Sequence, residues 1–599
     1  DNPDYTFGEP GDEKAPSTAY CGHCHNTLAA QFLSSKHSQA TKNPLVQDLY
    51  AGVSQAFTSL AACSAAGGEW KQGLSPGTES DPVSKCYLGG GLLPDLNASC
   101  GGNGQSACDD PMIPSVDAPT AFGACADCHA PGINGEVGGR NLHEAVGVPY
   151  DYGVHCDVCH KVKDVDLSLP PGVGQRLILH RPNEPSPAQT EEYRPIYFGP
   201  LLDVPNAFMN GSYQPKFNEA VLCAGCHEQK QAALISGQSL DPVRWPDGLP
   251  VHSTYSEWLA GPYSDSGTPC QFCHMPPRFD SVNNIDVATS DNLSMTFGFR
   301  RPPEDNRQHI FRSPLFHGEP RLIDGALFVS IALSQQGSEV DAQVSLANVG
   351  CGHAVPTGEP MRALVMLVEA EGGGCGQPLK ATAGMTVHDV GGAHARGVVG
   401  QDVDVVGASL NWVAGAEQAV AGQVVRVVRP SGIYDDYTGV GYFADPNLTP
   451  AQKALEIADP VSEATVLGAG GGQIQLSDSL AVLAGDVIFL GDATGTQTDG
   501  QSSRSFAGAP GYSFSKVLLD ASGVRGVPHY LATDIASDNR IPPGDKALTT
   551  HRFAVPNGCT SATVRAVVLY RPIPTAMAAV RGWDAKDYVI AEAEAILVF

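Results

Sequence analysis

Five pentapeptides of one pattern run through the first half of this chain: Cys21-Gly-His-Cys24-His25, Cys125-Ala-Asp-Cys128-His129, Cys156-Asp-Val-Cys159-His160, Cys223-Ala-Gly-Cys226-His227 and Cys270-Gln-Phe-Cys273-His274. Each sets two thiols one turn apart and an imidazole directly after them. Covalent attachment of a c-type haem asks for that spacing: the thiols add across two vinyl groups of the porphyrin, and the imidazole meets the iron from one face. Zinc sites use paired cysteines but do not need a histidine after every second one. A thioredoxin-like redox pair would occur once, and a disulfide framework would not repeat one spacing five times. The pattern therefore predicts five covalently attached haem c groups, with His25, His129, His160, His227 and His274 as proximal iron ligands.

The ligand on the opposite face of each iron decides the chemistry. A second histidine or a methionine gives a six-coordinate iron that carries electrons, whereas an open position admits a small molecule. Of 18 histidines five are the proximal ones that end the motifs, so 13 remain, more than enough for a second imidazole at every iron. His37 lies 12 residues past the first proximal histidine, near enough to cover a neighbouring haem. His155 directly precedes Cys156, and His143 precedes the same motif by a short loop. These three are candidate distal ligands; His180, His252, His317 and Met209 stand in reserve. His23 sits inside a motif and points away from its own iron, while His388, His394, His529 and His551 fall in a β-rich half and read as structural.

These residues must be held by elements, and the chain divides into two kinds. Residues 1–320 carry all five motifs, short helical pieces, many Pro and Gly breaks and little strand signal. Residues 321–599 carry none; alternating runs such as Ala326–Leu333, Arg362–Val368 and Thr563–Tyr570 predict antiparallel strands. The expected class is α+β, a loop-rich, mainly helical multihaem domain followed by an antiparallel β-sandwich-like domain with a long insertion at about 395–510. The 31-residue step from Cys125 to Cys156 and the 47-residue step from Cys223 to Cys270 predict haems two and three, and four and five, as neighbours. Seven cysteines lie outside the motifs. Cys63, Cys86, Cys100 and Cys108 crowd an excursion at about 44–120 and predict two local disulfides; Cys351 with Cys375 is a third, leaving Cys559 odd.

A formal net charge of -28, to which haem propionates would add, argues against nucleic acid and anionic membrane surfaces as partners. No run of 18 apolar residues occurs, so no transmembrane segment is expected. The polar start DNPDYTFGEP reads as a mature end after signal-peptide removal. Haem attachment of this kind takes place outside the cytoplasmic membrane. The expected location is therefore extracellular or at the cell surface, with the periplasm as second choice.

The phrases Ser35-Lys-His-Ser-Gln-Ala40, Gly153-Val-His-Cys-Asp-Val-Cys-His-Lys161, Thr254-Tyr-Ser-Glu-Trp258 and Cys270-Gln-Phe-Cys-His-Met-Pro276 resemble multihaem c-type cytochromes related to the nitrifier tetrahaem cytochrome. That family includes surface-exposed and filament-forming cytochromes of metal reducers. Gly352-His-Ala-Val-Pro-Thr-Gly358 and Asp538-Asn-Arg-Ile-Pro-Pro-Gly544 extend the resemblance into the second half. The resemblance implies extracytoplasmic electron transfer, and it implies His37, His309 and His353 as distal ligands. Where such proteins offer a histidine before the fourth motif, this chain reads Asn206-Ala-Phe-Met-Asn-Gly-Ser-Tyr213, which leaves Met209 or His180 to substitute there. The expected function is electron transfer through five closely packed haems, more a carrier than a catalyst. The implied partners are redox proteins or extracellular acceptors, and copies of the chain itself if it builds a filament. The alternative is an oxidoreductase acting on a small nitrogen or sulfur compound at one open haem.

Overall fold

The three attachment motifs that are described in full fold as single short helical segments. Cys156–Cys159, Val221–His227 and Cys270–His274 are helices of four, seven and five residues. Helices this short are not stable alone, so what surrounds them must hold them. The computed structural model describes residues 21–22, 25–51, 53–54, 57–66, 68–74, 82–88, 128–131, 148–169, 176–179, 196–203, 211–233, 238–279, 301–316, 320–388, 392–434 and 455–599. Cys24, Cys125, His143, His180, Met209 and His317 lie outside them, as do Cys100 and Cys108. The chain forms two compact units, Asp1–Leu259 with Tyr263–Leu322, and Ala260–Pro262 with Ile323–Phe599.

The first unit corrects the expectation of a mainly helical haem domain. Among the described residues 19% are helical and 41% are in strands, spread over several sheets. In the first unit the longest described helix, Asn26–Ser34, has nine residues. Between the motifs the backbone pairs with itself in short ladders. Val162–Val165 pairs antiparallel with Leu177–Leu179, Tyr197–Gly199 parallel with Gly211–Tyr213, and Glu228–Gln231 antiparallel with Leu249–Ser253. The reason is local. Pro or Gly follows closely on several of the helices, Gly153 after Val148–Tyr152, Gly261 after Thr254–Leu259 and Pro276 after Cys270–His274, and buried backbone between the helices must still find partners. Leu249–Ser253 alternates buried and half-buried positions along its length, as a strand covering a core does.

The strand ladders described in the second unit are antiparallel. One sheet runs Leu327–Gln336, Glu339–Asn348, Lys546–Ala554, Ala381–Gly384. A second is centred on Ser561–Arg571, between Ala363–Gly373 and Lys586–Val598. The segment 395–510 is more than a loop. Most of it folds as a seven-stranded sheet from Ala395–Val398 to Val487–Gly491, around a core that includes Leu410, Trp412, Val425, Ile474, Ile488 and Leu490.

The disulfides also differ from expectation. Cys63 bonds Cys86 within the first unit, but Cys375 bonds Cys559, not Cys351. Register explains the second bond. Gly373 faces Ser561 at the end of the paired strands, so the turn carrying Cys375 meets the residue that enters the partner strand. Cys351 keeps a free, half-buried thiol, 3.2 Å from Nδ1 of His353.

Candidate haem-binding site

None of the described motif cysteines, Cys21, Cys128, Cys156, Cys159, Cys223, Cys226, Cys270 and Cys273, is in a disulfide. This is so even where motifs touch. The Cys21 and Cys156 thiols hydrogen-bond, bringing motif one beside motif three. Those of Cys223 and Cys270 do the same for motifs four and five. The Cys128 thiol lies 3.9 Å from the carbonyl of Cys226, which places motif two against motif four. These contacts hold Cys21 and Cys223 in the protonated form, and burial pushes the Cys159 thiol up to about 12.

Three of the motif histidines share one way of being held. His160 Nδ1 is 2.7 Å from the Phe198 carbonyl, and the Phe198 N–H donates back to the His160 carbonyl at 2.8 Å. His274 Nδ1 is 2.7 Å from the Arg312 carbonyl, and the Arg312 N–H donates to the His274 carbonyl at 2.8 Å. His129 Nδ1 lies 3.2 Å from the Ala40 carbonyl, with the Thr41 hydroxyl donating to the His129 carbonyl at 2.6 Å. A carbonyl oxygen only accepts, so each Nδ1 must carry the proton. Each Nε2 then keeps its lone pair, the form in which an imidazole binds a metal. Thiols outside any disulfide and histidines fixed in this tautomer suit covalently attached haem.

Two further histidines stand opposite motif histidines. The His309 and His160 rings are 6.3 Å apart, with planes within 12°. The His37 and His227 rings are 6.1 Å apart at 77°. A metal–imidazole bond is about 2 Å, and the ring centre lies about 1 Å behind its nitrogen, so two rings sharing one iron sit roughly 6 Å apart. His309 Nδ1 is 3.0 Å from the Arg307 carbonyl, again leaving Nε2 free, and its backbone N–H donates to Gln31 Oε1 at 3.0 Å. Burial lowers His37 and His309 to about 4, with His274 and His129 adding to the effect at His37 and His160 adding to it at His309. Burial likewise lowers His160. All three rings are therefore neutral at physiological pH.

No family model and no curated protein matches the chain. Among solved structures it is similar to a penta-haem cytochrome c552 from Thermochromatium tepidum, at 16% identity over 97% of this chain and 98% of that one, with a TM-score of 0.47. It is also similar to AvmM, which catalyses macrocyclization in alchivemycin A biosynthesis, at 9% identity over 46% of this chain and 89% of that one, TM-score 0.16. A third is Clostridium perfringens delta-toxin, at 11% identity over 45% of this chain and 82% of that one, TM-score 0.09.

Other candidates are placed as follows. His155 is fully buried at the N-cap of the third motif's helix. His252 is half-buried on Leu249–Ser253, opposite Gln229. His353 belongs to the second unit, on a loop that Asn348 holds by donating to its carbonyl at 2.8 Å. Across from the fourth motif's histidine the structure sets His37, where the sequence offered Met209 or His180.

Sequence reasoning missed several supports. Phe311, a non-glycine residue at φ 45, packs its ring edge-on against both His37 and His309, at 4.4 and 5.9 Å. Gly153, at φ 54, leaves room for the His37 carbonyl, which a Cβ there would strike, and Val154 N–H donates to that carbonyl at 3.0 Å. The Gly153 phrase beside a motif was a usable signal. Nothing in the residue types marked Phe198, Arg312 or Ala40, which act through their carbonyls.

Proposed function

We propose that this chain is an electron carrier with five covalently attached haem c groups. The observation that carries the reading is the opposition of imidazoles, His160 with His309 and His37 with His227, at the spacing two ligands of one iron require. When bound, the haem supplies a one-electron couple; the chain fixes where that couple sits and how easily it changes charge. Cys156, Cys159 and His160 hold one such group with His309 opposite, and Cys223, Cys226 and His227 hold another with His37 opposite. The carbonyls of Phe198, Arg312 and Ala40 keep the ring protons on Nδ1. Of the remaining expected ligands, His143, His155 and His353 stay candidates for the other irons.

The thiol contacts suggest an order of neighbours, one to three, two to four and four to five. We place the working protein outside the cytoplasmic membrane. The disulfides Cys63–Cys86 and Cys375–Cys559 suit an oxidising compartment. Among the described residues no helix is long and apolar enough to cross a membrane. Redox proteins or extracellular acceptors are the proposed partners. End-to-end stacking into a filament is the extreme form of such transfer, and electron microscopy of the native protein would show either fibres or single particles.

Intact mass tests the cofactor count. Protein made with the c-type maturation machinery and then denatured is expected to exceed the chain by five haem masses. A gain of four or six would overturn the count, and no gain would overturn the reading.

A further inference from the structure

The haem unit of this acidic chain contains a buried cation aimed at one motif. Arg176 is 4% exposed. Its guanidinium donates to the Leu169 carbonyl at 3.1 Å, to the Ala224 carbonyl at 3.5 Å, and to the Glu228 carbonyl. Ala224 lies between the two cysteines of the fourth motif, and Glu228 directly follows its histidine. These carbonyls close the last turn of Val221–His227, where a helix has no intrahelical donors left to offer. The next residue, Leu177, packs so tightly on Gly225 that any Cβ there would run into its side chain. Arg176 and Leu177 thus clasp the fourth motif from about 50 residues upstream, through a strand ladder the sequence did not reveal.

The clasp is charged. Among the described residues the guanidinium meets backbone carbonyls and no carboxylate. The Glu228 carboxylate is turned to Ser256, accepting from its backbone N–H at 3.0 Å and its hydroxyl at 2.6 Å. An arginine keeps its charge at any physiological pH, and in a buried setting that charge is weakly screened.

We propose that Arg176 is a positioning residue for the fourth haem site that also raises that haem's reduction potential. The argument rests on the haem reading above. A fixed positive charge beside the iron favours the reduced form, which carries one positive charge fewer. The fourth motif touches both the second and the fifth. Raising its potential would make it the place where an electron rests between neighbours.

The test is a potentiometric titration of the full haem-loaded chain. Arg176→Met should move one of the five transitions to lower potential by at least a ten-fold change in its oxidised-to-reduced ratio, about 59 mV for one electron. Arg176→Lys should restore it to within about three-fold, since it keeps the charge. His37→Met, which alters the ligand opposite His227, should shift the same transition. If Arg176→Met arrives one haem short, Arg176→Gln, which keeps amide donors for the carbonyls without the charge, carries the measurement. Unmoved transitions in a five-haem Arg176→Met or Arg176→Gln protein would overturn the proposal and leave the haem reading standing. A wild-type chain with no haem would instead overturn the haem reading itself.

Discussion

Replacing His309 with alanine is expected to turn one iron in five from low-spin to high-spin. His309 faces His160 at the distance of two rings sharing an iron, and its ring is fixed by the Arg307 carbonyl. Its backbone is tied to Gln31 on the helix Asn26–Ser34. Alanine removes the ligand and leaves this frame in place, so the sixth position opens without the site dissolving. The reduced variant should bind carbon monoxide at about one haem in five, and added imidazole should restore the low-spin form. His37→Ala should do the same at the fourth motif, and the double variant should open two irons. Optical and electron paramagnetic resonance spectra of the oxidised proteins check this. A wholly low-spin His309→Ala spectrum would refute the pairing.

Loss of the third motif should do more than remove one cofactor. In Cys156→Ala with Cys159→Ala, intact mass should fall by one haem, and the first unit should lose its cooperative thermal transition. The helix there is only four residues long, so it depends on what it touches. Cys156 meets Cys21 of the first motif, His160 exchanges hydrogen bonds with Phe198, and Val158 and Val162 are buried beside them. Short helices and ladders of three or four residues contain too little apolar area to fold without a large group to pack on. The second unit has apolar cores of its own, including the cluster around Trp412 and Ile488, and its transition should persist. Calorimetry separates the two. An unchanged first transition in protein that has lost one haem would show that side chains alone hold that unit.

What the sequence disclosed follows from how local each signal is. The motifs are contiguous and chemically exacting, so five candidate attachment motifs could be read directly from the residues. The alternating runs at 326–333, 362–368 and 563–570 fall on the strands Leu327–Gln336, Ala363–Gly373 and Ser561–Arg571, because alternation is a property of neighbours in the chain. Pairing is not local. Ladders of three or four residues, such as Leu177–Leu179 on Val162–Val165, leave too few positions for a period to show, and so the haem half read as helical. Cys375 and Cys559, 184 residues apart, are joined by a strand register that no spacing rule could supply. Supports that act through backbone carbonyls were likewise invisible, because every residue has one. His37 was found from its position in the chain, but its place opposite His227 came only from the fold.

The oxidised native protein, examined by electron paramagnetic resonance together with carbon monoxide binding after reduction, tests the central claim most directly. A carrier whose irons all have two protein ligands should show low-spin signals alone and bind no carbon monoxide. A high-spin component amounting to one iron in five, with matching carbon monoxide uptake, would contradict the account and point to an open haem that turns over a small molecule.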